Sequence, residues 1–243
     1  MTGLGTIINS AAIVGGGLVG HIAGRLFRAE QQDAINKTCG VSVIFIAVAG
    51  AMQGRLQIDG GQLVSGKSML VVLCLAIGTA VGELLGIEKG FERFGEWLKR
   101  KTGNAKDATF VDAFVTASLT VSIGAMAVVG AIRDGLSGDS SVLITKAILD
   151  FVIILVMTSS LGKGCAFSAI PVLVLEGGLT LLARLIAPVM TDAALANLSM
   201  VGSVLIFCVG VNLTFGKRVR VANLLPALIL AVIFAFLPLS FLN

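Results

Sequence analysis

The sequence has no tyrosine, one tryptophan, one histidine and only four prolines in 243 residues. Charge is scarce as well: Asp, Glu, Lys and Arg make up 13% of the chain, against the roughly 25% that wets the surface of a soluble domain. That shortage excludes a soluble enzyme, a disordered segment and a nucleic-acid-binding module. A single histidine, His21, excludes a histidine-rich metal site. The four cysteines, Cys39, Cys74, Cys165 and Cys208, lie in or beside apolar runs without CxxC spacing. They read as small buried hydrophobes, so neither a disulfide framework nor a zinc site is expected. Enzyme signatures are missing too, with no HExxH and no GxSxG. Ser65-Gly66-Lys67-Ser68 ends like a phosphate loop but lacks the glycine that must precede it, and it opens an apolar run. The expectation is a protein that is not an enzyme and carries no cofactor.

What the chain does have is apolar length. Hydrophobic residues make up 56%, the mean hydropathy is +0.98, and there are 30 glycines. A membrane helix needs about 20 largely apolar residues. Eight segments qualify: 4–24, 38–53, 68–87, 110–132, 142–161, 166–187, 198–215 and 221–242. They are too long for barrel strands and do not alternate. The expected fold is therefore all-α, a single polytopic membrane domain over 1–243, with short second and seventh spans. Met1 to Gly5 has no basic region and runs straight into the first span, so no cleavable signal peptide is expected.

Basic residues set the orientation. Thirteen of the 18 Lys and Arg fall on one face of the eight-span arrangement and five on the other. The crowded face is expected in the cytoplasm, which leaves both termini outside. The polar stretch 88–107 carries Phe91, Phe94, Trp97 and Leu98 at helical spacing among charged residues. It reads as an amphipathic helix lying in the cytoplasmic interface, with Trp97 at headgroup level.

Sliding the chain on itself by 161 positions places Gly16-Gly17-Leu18 on Gly177-Gly178-Leu179. The same shift places Asn36 on Asn197 and Ser42-Val43 on Ser203-Val204. Segments 4–87 and 166–242 thus look like an internal repeat joined by spans within 110–161. An odd number of spans separates equivalent helices, so the copies are expected to be inverted, an architecture common in transporters. Weaker echoes appear at shifts of 80 and 62, the latter setting Gly16, Gly20 and Gly24 on Gly78, Gly82 and Gly86.

Ionisable groups inside spans are costly and are functional candidates by default. Glu176 is the deepest, followed by Gly177 and Gly178, which are read as sites of unwinding or close approach. Arg133 and Asp134 follow the small-residue stretch from Gly124 to Gly130, and Lys146 and Asp150 stand at i and i+4 on one helical face. Together these offer both signs of charge to a solute near the outer mouth. Asn9, Asn212 and Asn223 are amides able to bind solute or to hold helices together. Gly16, Gly17, Gly124, Gly130, Gly177 and Gly178 complete the candidate set as close-packing or flexible positions.

These residues also carry a resemblance. Phe114-Val115-Thr116-Ala117-Ser118-Leu119, the run Gly124 to Gly130, Asp134-Gly135-Leu136, Gly138-Asp139 and Lys146 to Asp150 are similar to the bacterial inner-membrane proteins of the YqgA/YdfK type, a domain of unknown function. Phe167-Ser168-Ala169, Arg220 to Pro226, and the Gly5-Thr6 and Asn9 opening extend the match over the whole chain. The resemblance implies a small multi-spanning protein of the bacterial inner membrane with the look of a transporter. In that family an amide often stands at the position of Glu176, which implies a hydrogen-bonding role there.

The reading that follows is a secondary transporter of a small polar or charged solute, or less readily an ion channel. Its partners would be the lipid bilayer, the solute and copies of the same chain, with no nucleic acid. The alternative is a non-transporting scaffold or signalling protein that binds a partner through 88–107. Topology is directly testable. Lys99→Cys or Lys101→Cys in intact cells should react with an impermeant thiol reagent only after the cytoplasmic face is exposed; labelling from the periplasm would reverse the assignment.

Overall fold

A computed structural model describes residues 2–59 and 62–237. In chain order, α1 (Leu4–Gly24) and α2 (Ala29–Arg55) lead to a hairpin of β1 (Leu56–Asp59) and β2 (Gln62–Ser65). Then come α3 (Ser68–Leu85), α4 (Ile87–Lys101), α5 (Phe110–Ser122), α6 (Ala125–Ser137) and α7 (Ser141–Leu161). A 3-10 turn, Lys163–Ser168, runs into α8 (Ala169–Leu181), followed by the single turn α9 (Ala183–Ile186) and by α10 (Asp192–Phe215). Another 3-10 turn, Val221–Leu224, precedes α11 (Pro226–Phe234).

The protein is a helical membrane protein. Among the described residues, six helices are long and apolar enough to cross a bilayer, and a bent pair, α5 with α6, raises the number to seven. The expected span 110–132 is thus not one rod. Ile123 is extended and Gly124 takes φ 149°, a backbone that favours glycine, and the two helices meet at 63°. The second and seventh spans are not short: α2 has 27 residues and α10 has 24, because the polar stretch 29–37 and the mixed stretch 192–197 are helical as well. The helix expected over 88–107 occupies Ile87–Lys101. Of the last expected span, 221–242, the described part is the turn and α11, and residues 238–242 lie outside the described residues.

The hairpin was not anticipated. Leu56 pairs with Ser65 and Asp59 with Gln62, around the turn-prone sequence Asp59-Gly60-Gly61. Arg55 at the end of α2 fastens its base, donating to Ser65 Oγ at 3.1 Å, Ser68 Oγ at 2.5 Å and the Gly66 carbonyl at 3.4 Å.

Lipid tails are as apolar as the helices, so helix contact relies on close packing. Glycines provide it. Gly16, Gly20 and Gly24 lay one edge of α1 on the backbone of Phe151, Leu155 and Ser159 in α7, so the two helices run parallel. Gly40 meets Gly210 and Thr214 while Gly54 meets Met200, which makes α2 and α10 antiparallel. Gly78 and Gly82 face Ala227 and Asn223, setting α3 antiparallel to α11. Gly17 meets Ala166, and Gly130 approaches the Leu143 side chain. A buried apolar core around Phe110, Phe114, Ile154, Met157 and Leu205 lies inside this frame. Phe45, Leu84 and Ile22 point outward, as lipid-facing residues do.

Substitution of these glycines separates packing from propensity. A methyl group on Gly20 would sit 2.9 Å from Thr158 Cβ against the Leu155 backbone, whereas one on Gly178 meets nothing within 4 Å. Gly20→Leu should cost at least about 1–3 kcal/mol, the usual toll of overpacking, and Gly178→Ala should not reduce stability. Thermal melting of the purified proteins checks both.

Candidate functional site

Helix α7 places Lys146 and Asp150 one turn apart on its buried face, 6% and 4% exposed, where they form an ion pair. Burying two charges is costly unless every remaining polar atom is answered. Lys146 Nζ finds two further partners. It donates to the Val121 carbonyl at 2.7 Å and lies 3.4 Å from Glu176 Oε1. Val121 is the next-to-last residue of α5, and the last carbonyls of a helix have no intrahelical donor. The break at Ile123 and Gly124 therefore turns a helix end, with its partial negative charge, toward a buried ammonium.

Glu176, on α8, is 1% exposed and accepts a bond from Asn9 Nδ2 at 2.9 Å. Asn9 comes from α1 and is fully buried. One turn away the Thr6 and Thr180 hydroxyls lie 3.4 Å apart. Four elements, α1, α5, α7 and α8, thus converge on one charged cluster. Asn9 Oδ1, Glu176 Oε2 and the hydroxyls of Ser10 and Ser122 are buried with no hydrogen-bond partner among the described residues. Polar atoms in that state are what a ligand or an exchanging proton can satisfy. Among the described residues no three His, Cys, Asp or Glu side chains gather closely enough to hold a metal ion.

The remaining candidates are placed elsewhere. Asp134 is buried and accepts from the Gly3 and Gly5 amides at 3.2 and 3.0 Å, capping the start of α1, while its neighbour Arg133 is exposed. Asn212 clasps the following loop, donating to the Val219 carbonyl at 2.7 Å and accepting from the Arg218 and Val219 amides. Asn223 accepts from the Glu88 amide at 2.8 Å and so fixes the start of α4. Gly177 and Gly178 neither unwind α8 nor allow close approach: the helix runs through them, and Gly177 reaches only ordinary contact with Thr6 at 3.9 Å.

A cavity of about 850 Å³ opens where the ends of α1, α7 and α10 meet the starts of α2, α4 and α5. His21, Asp33, Asp112 and Lys217 line its mouth, and Leu119, Thr158 and Val209 lie deeper. Thr158 is two turns from Asp150 along α7, about 12 Å at 1.5 Å per residue. Fully buried Ile154 stands midway between them on the same helix. At the rim Lys217 bridges Glu88 at 2.9 Å and Glu92 at 2.8 Å. Partial burial works against the charge of Lys217, but the Glu92 and Glu88 carboxylates more than offset it and hold the ammonium well above its ordinary range. Arg220 and Glu83 pair nearby at 2.7 Å.

Sequence reasoning found Asn9, Lys146, Asp150 and Glu176, but not the Val121 carbonyl, the threonine pair or the Lys217 bridge. The one signal for Val121 was Gly124 within an apolar run. The charges should be interdependent. Lys146→Met strands the Asp150 carboxylate and takes a partner from Glu176, which should cost about 3–5 kcal/mol, whereas Lys146→Met combined with Asp150→Asn and Glu176→Gln should regain most of that. Denaturant or thermal melts of the two proteins measure the difference.

The family model described as "Protein of unknown function (DUF554)" matches residues 4–236. The chain is 24% identical over 232 residues to the "Uncharacterized membrane protein YdfK" of Bacillus subtilis (strain 168), covering 96% of this chain and 95% of that one. It is 26% identical over 232 residues to the "Uncharacterized protein YqgA" of Escherichia coli (strain K12), covering 94% of each. No solved structure matches it.

Proposed function

The chain belongs to the DUF554 family of unknown function, and we propose that it is a secondary transporter moving a small polar or charged solute across the bacterial inner membrane. The observation that carries this reading is the buried cluster of Asn9, Lys146, Asp150 and Glu176 set against the broken end of α5. Carriers bind solutes and coupling ions inside the membrane at such interrupted helices, where freed backbone carbonyls and paired charges replace water.

Helix directions support the finer architecture. Asn9 meets Glu176 and Thr6 meets Thr180, so α1 and α8 are antiparallel, as are α2 and α10. These are the pairs that the 161-residue shift makes equivalent, in the sense an inverted repeat requires. The parallel packing of α1 on α7 calls for one net crossing by α5 and α6 together. With a crossing by the segment from Val221 onward, the total reaches eight and both termini lie outside. The vestibule then opens to the cytoplasm on the basic face, and the cluster is closed to both sides. A closed site beyond a vestibule favours a carrier over an open channel.

The scaffold reading has one observation of its own: Phe94 and Trp97 stack at 5.7 Å on the exposed side of α4. A thermal-shift screen of metabolites and ions on the purified chain discriminates the two. A true solute at 100 times its Kd should add about 2.7 kcal/mol of stability. That solute should enter proteoliposomes through the wild-type protein and not through Asp150→Asn. A protein that no small solute stabilises, and that moves none of them, would contradict transport.

A further inference from the structure

Lys146, Asp150 and Glu176 bring one positive and two negative formal charges into a region where none is more than 6% exposed. The Lys146 ammonium is committed first to Asp150 and to the Val121 carbonyl. Glu176 receives a 2.9 Å bond from Asn9 and only a 3.4 Å approach from Lys146. Of these two side chains, the other oxygens, Glu176 Oε2 and Asn9 Oδ1, find no donor among the described residues. They are the free ends of two planar groups that already share one hydrogen bond. A carboxylic acid and an amide so joined close a ring of two hydrogen bonds when the second acid oxygen carries hydrogen. One added proton answers both orphans and brings the cluster to neutrality, which a dry interior strongly favours.

Building on the transporter reading, we infer that Glu176 holds an exchangeable proton in this closed state, donating from Oε2 to Asn9 Oδ1, and that this proton is the coupling ion. Release breaks the Oε2–H bond and passes the proton to water. The cluster is left with one net negative charge, two carboxylates competing for Lys146, and one hydrogen bond instead of two between Asn9 and Glu176, beside the long Thr6–Thr180 contact. That weakens the contact holding these two helices together, which is how a proton can bias an opening motion.

The other charged groups around α8 do not replace this balance. From α6, Asp134 is bound to the Gly3 and Gly5 amides, and Arg133 is exposed. Arg184 on α9 is exposed. Asp112 at the start of α5 and Lys163 before α8 belong to the opposite, vestibule end of their helices, as does His21 of α1. Lys146 of α7, itself paired with Asp150, is the charged group that reaches Glu176 among the described residues.

Infrared difference spectroscopy on the purified full chain reads the proton directly. At neutral pH the wild type should show the carbonyl stretch of a protonated carboxyl, sensitive to deuterium oxide and missing from Glu176→Gln. That variant supplies an N–H where the acid supplies O–H, so it should fold. Asn9→Leu should keep the band and shift it, because the acid loses its acceptor. A pH jump applied to proteoliposomes on a solid-supported membrane should displace charge with the wild type and not with Glu176→Gln. Absence of a protonated-carboxyl band in the wild type, or a band unmoved by Asn9→Leu, overturns the proton assignment even should Glu176→Gln fail to fold. A band without pH-driven charge displacement overturns the coupling and leaves a structural hydrogen bond. Solute uptake indifferent to a pH gradient defeats this inference alone, and charge displacement with no solute ever transported defeats the transporter reading alone.

Discussion

A lysine ammonium inside a membrane cannot be left to lipid, and the demands of Lys146 organise the region around it. Its three acceptors come from three different helices: the Val121 carbonyl of α5, Asp150 of α7 and Glu176 of α8. Each imposes a constraint. An unbroken span over 110–132 would use the Val121 carbonyl internally, so α5 has to stop. Glycine at 124 permits the turn that stops it. Glu176 in turn needs a donor from the remaining side, and α1 provides Asn9.

That last contact depends on how closely α1 can approach. From Gly16 to Gly24 the glycine edge of α1 lies on the α7 backbone, and Gly17 meets Ala166 just before α8. Bulky residues there would hold Asn9 away from Glu176. The two ends of the bundle then differ in character. At the end of the cluster, Asp134 holds the start of α1. At the other end the helices diverge around a cavity of about 850 Å³, and the closing contacts are pairs made by the half-exposed Lys217 with Glu88 and Glu92, within reach of salt. One end is built to hold and the other to yield, which suits a protein that alternates between faces.

The helical membrane class, most of the spans and the four principal side chains were legible in the sequence, because ionisable groups in apolar runs stand out against their cost. Their convergence was not, since it follows from packing between helices whose contacting residues lie 25 to 167 positions apart. Asp134 read as part of a charged mouth because it follows its own helix; its partners are the amides of α1, and no local pattern encodes that. The bend at Gly124 is invisible to hydropathy because the chain is apolar on both sides of it. Gly177 and Gly178 misled in the opposite sense: a glycine pair beside a carboxyl suggested unwinding, yet the hydrogen-bonded helix continues and the glycines face open space or ordinary contact. The start of α2 lies outside the apolar run because its polar residues form helix without adding hydropathy, and in α10 Asp192 and Asn197 interrupt the run before the expected start. The hairpin escaped because windows sized for a membrane crossing pass over two strands of four residues.

A carrier of the kind proposed would open its cluster to opposite faces at different times. Single cysteines in a background lacking Cys39, Cys74, Cys165 and Cys208 test it. Thr180→Cys would report access from the side of the α8 end and Leu119→Cys access from the vestibule. Reaction rates with a small impermeant thiol reagent, measured in proteoliposomes of known orientation across a range of pH, should change in opposite directions at the two positions. Rates that rise and fall together, or a Thr180→Cys that stays inert while Leu119→Cys reacts under every condition, would contradict the account.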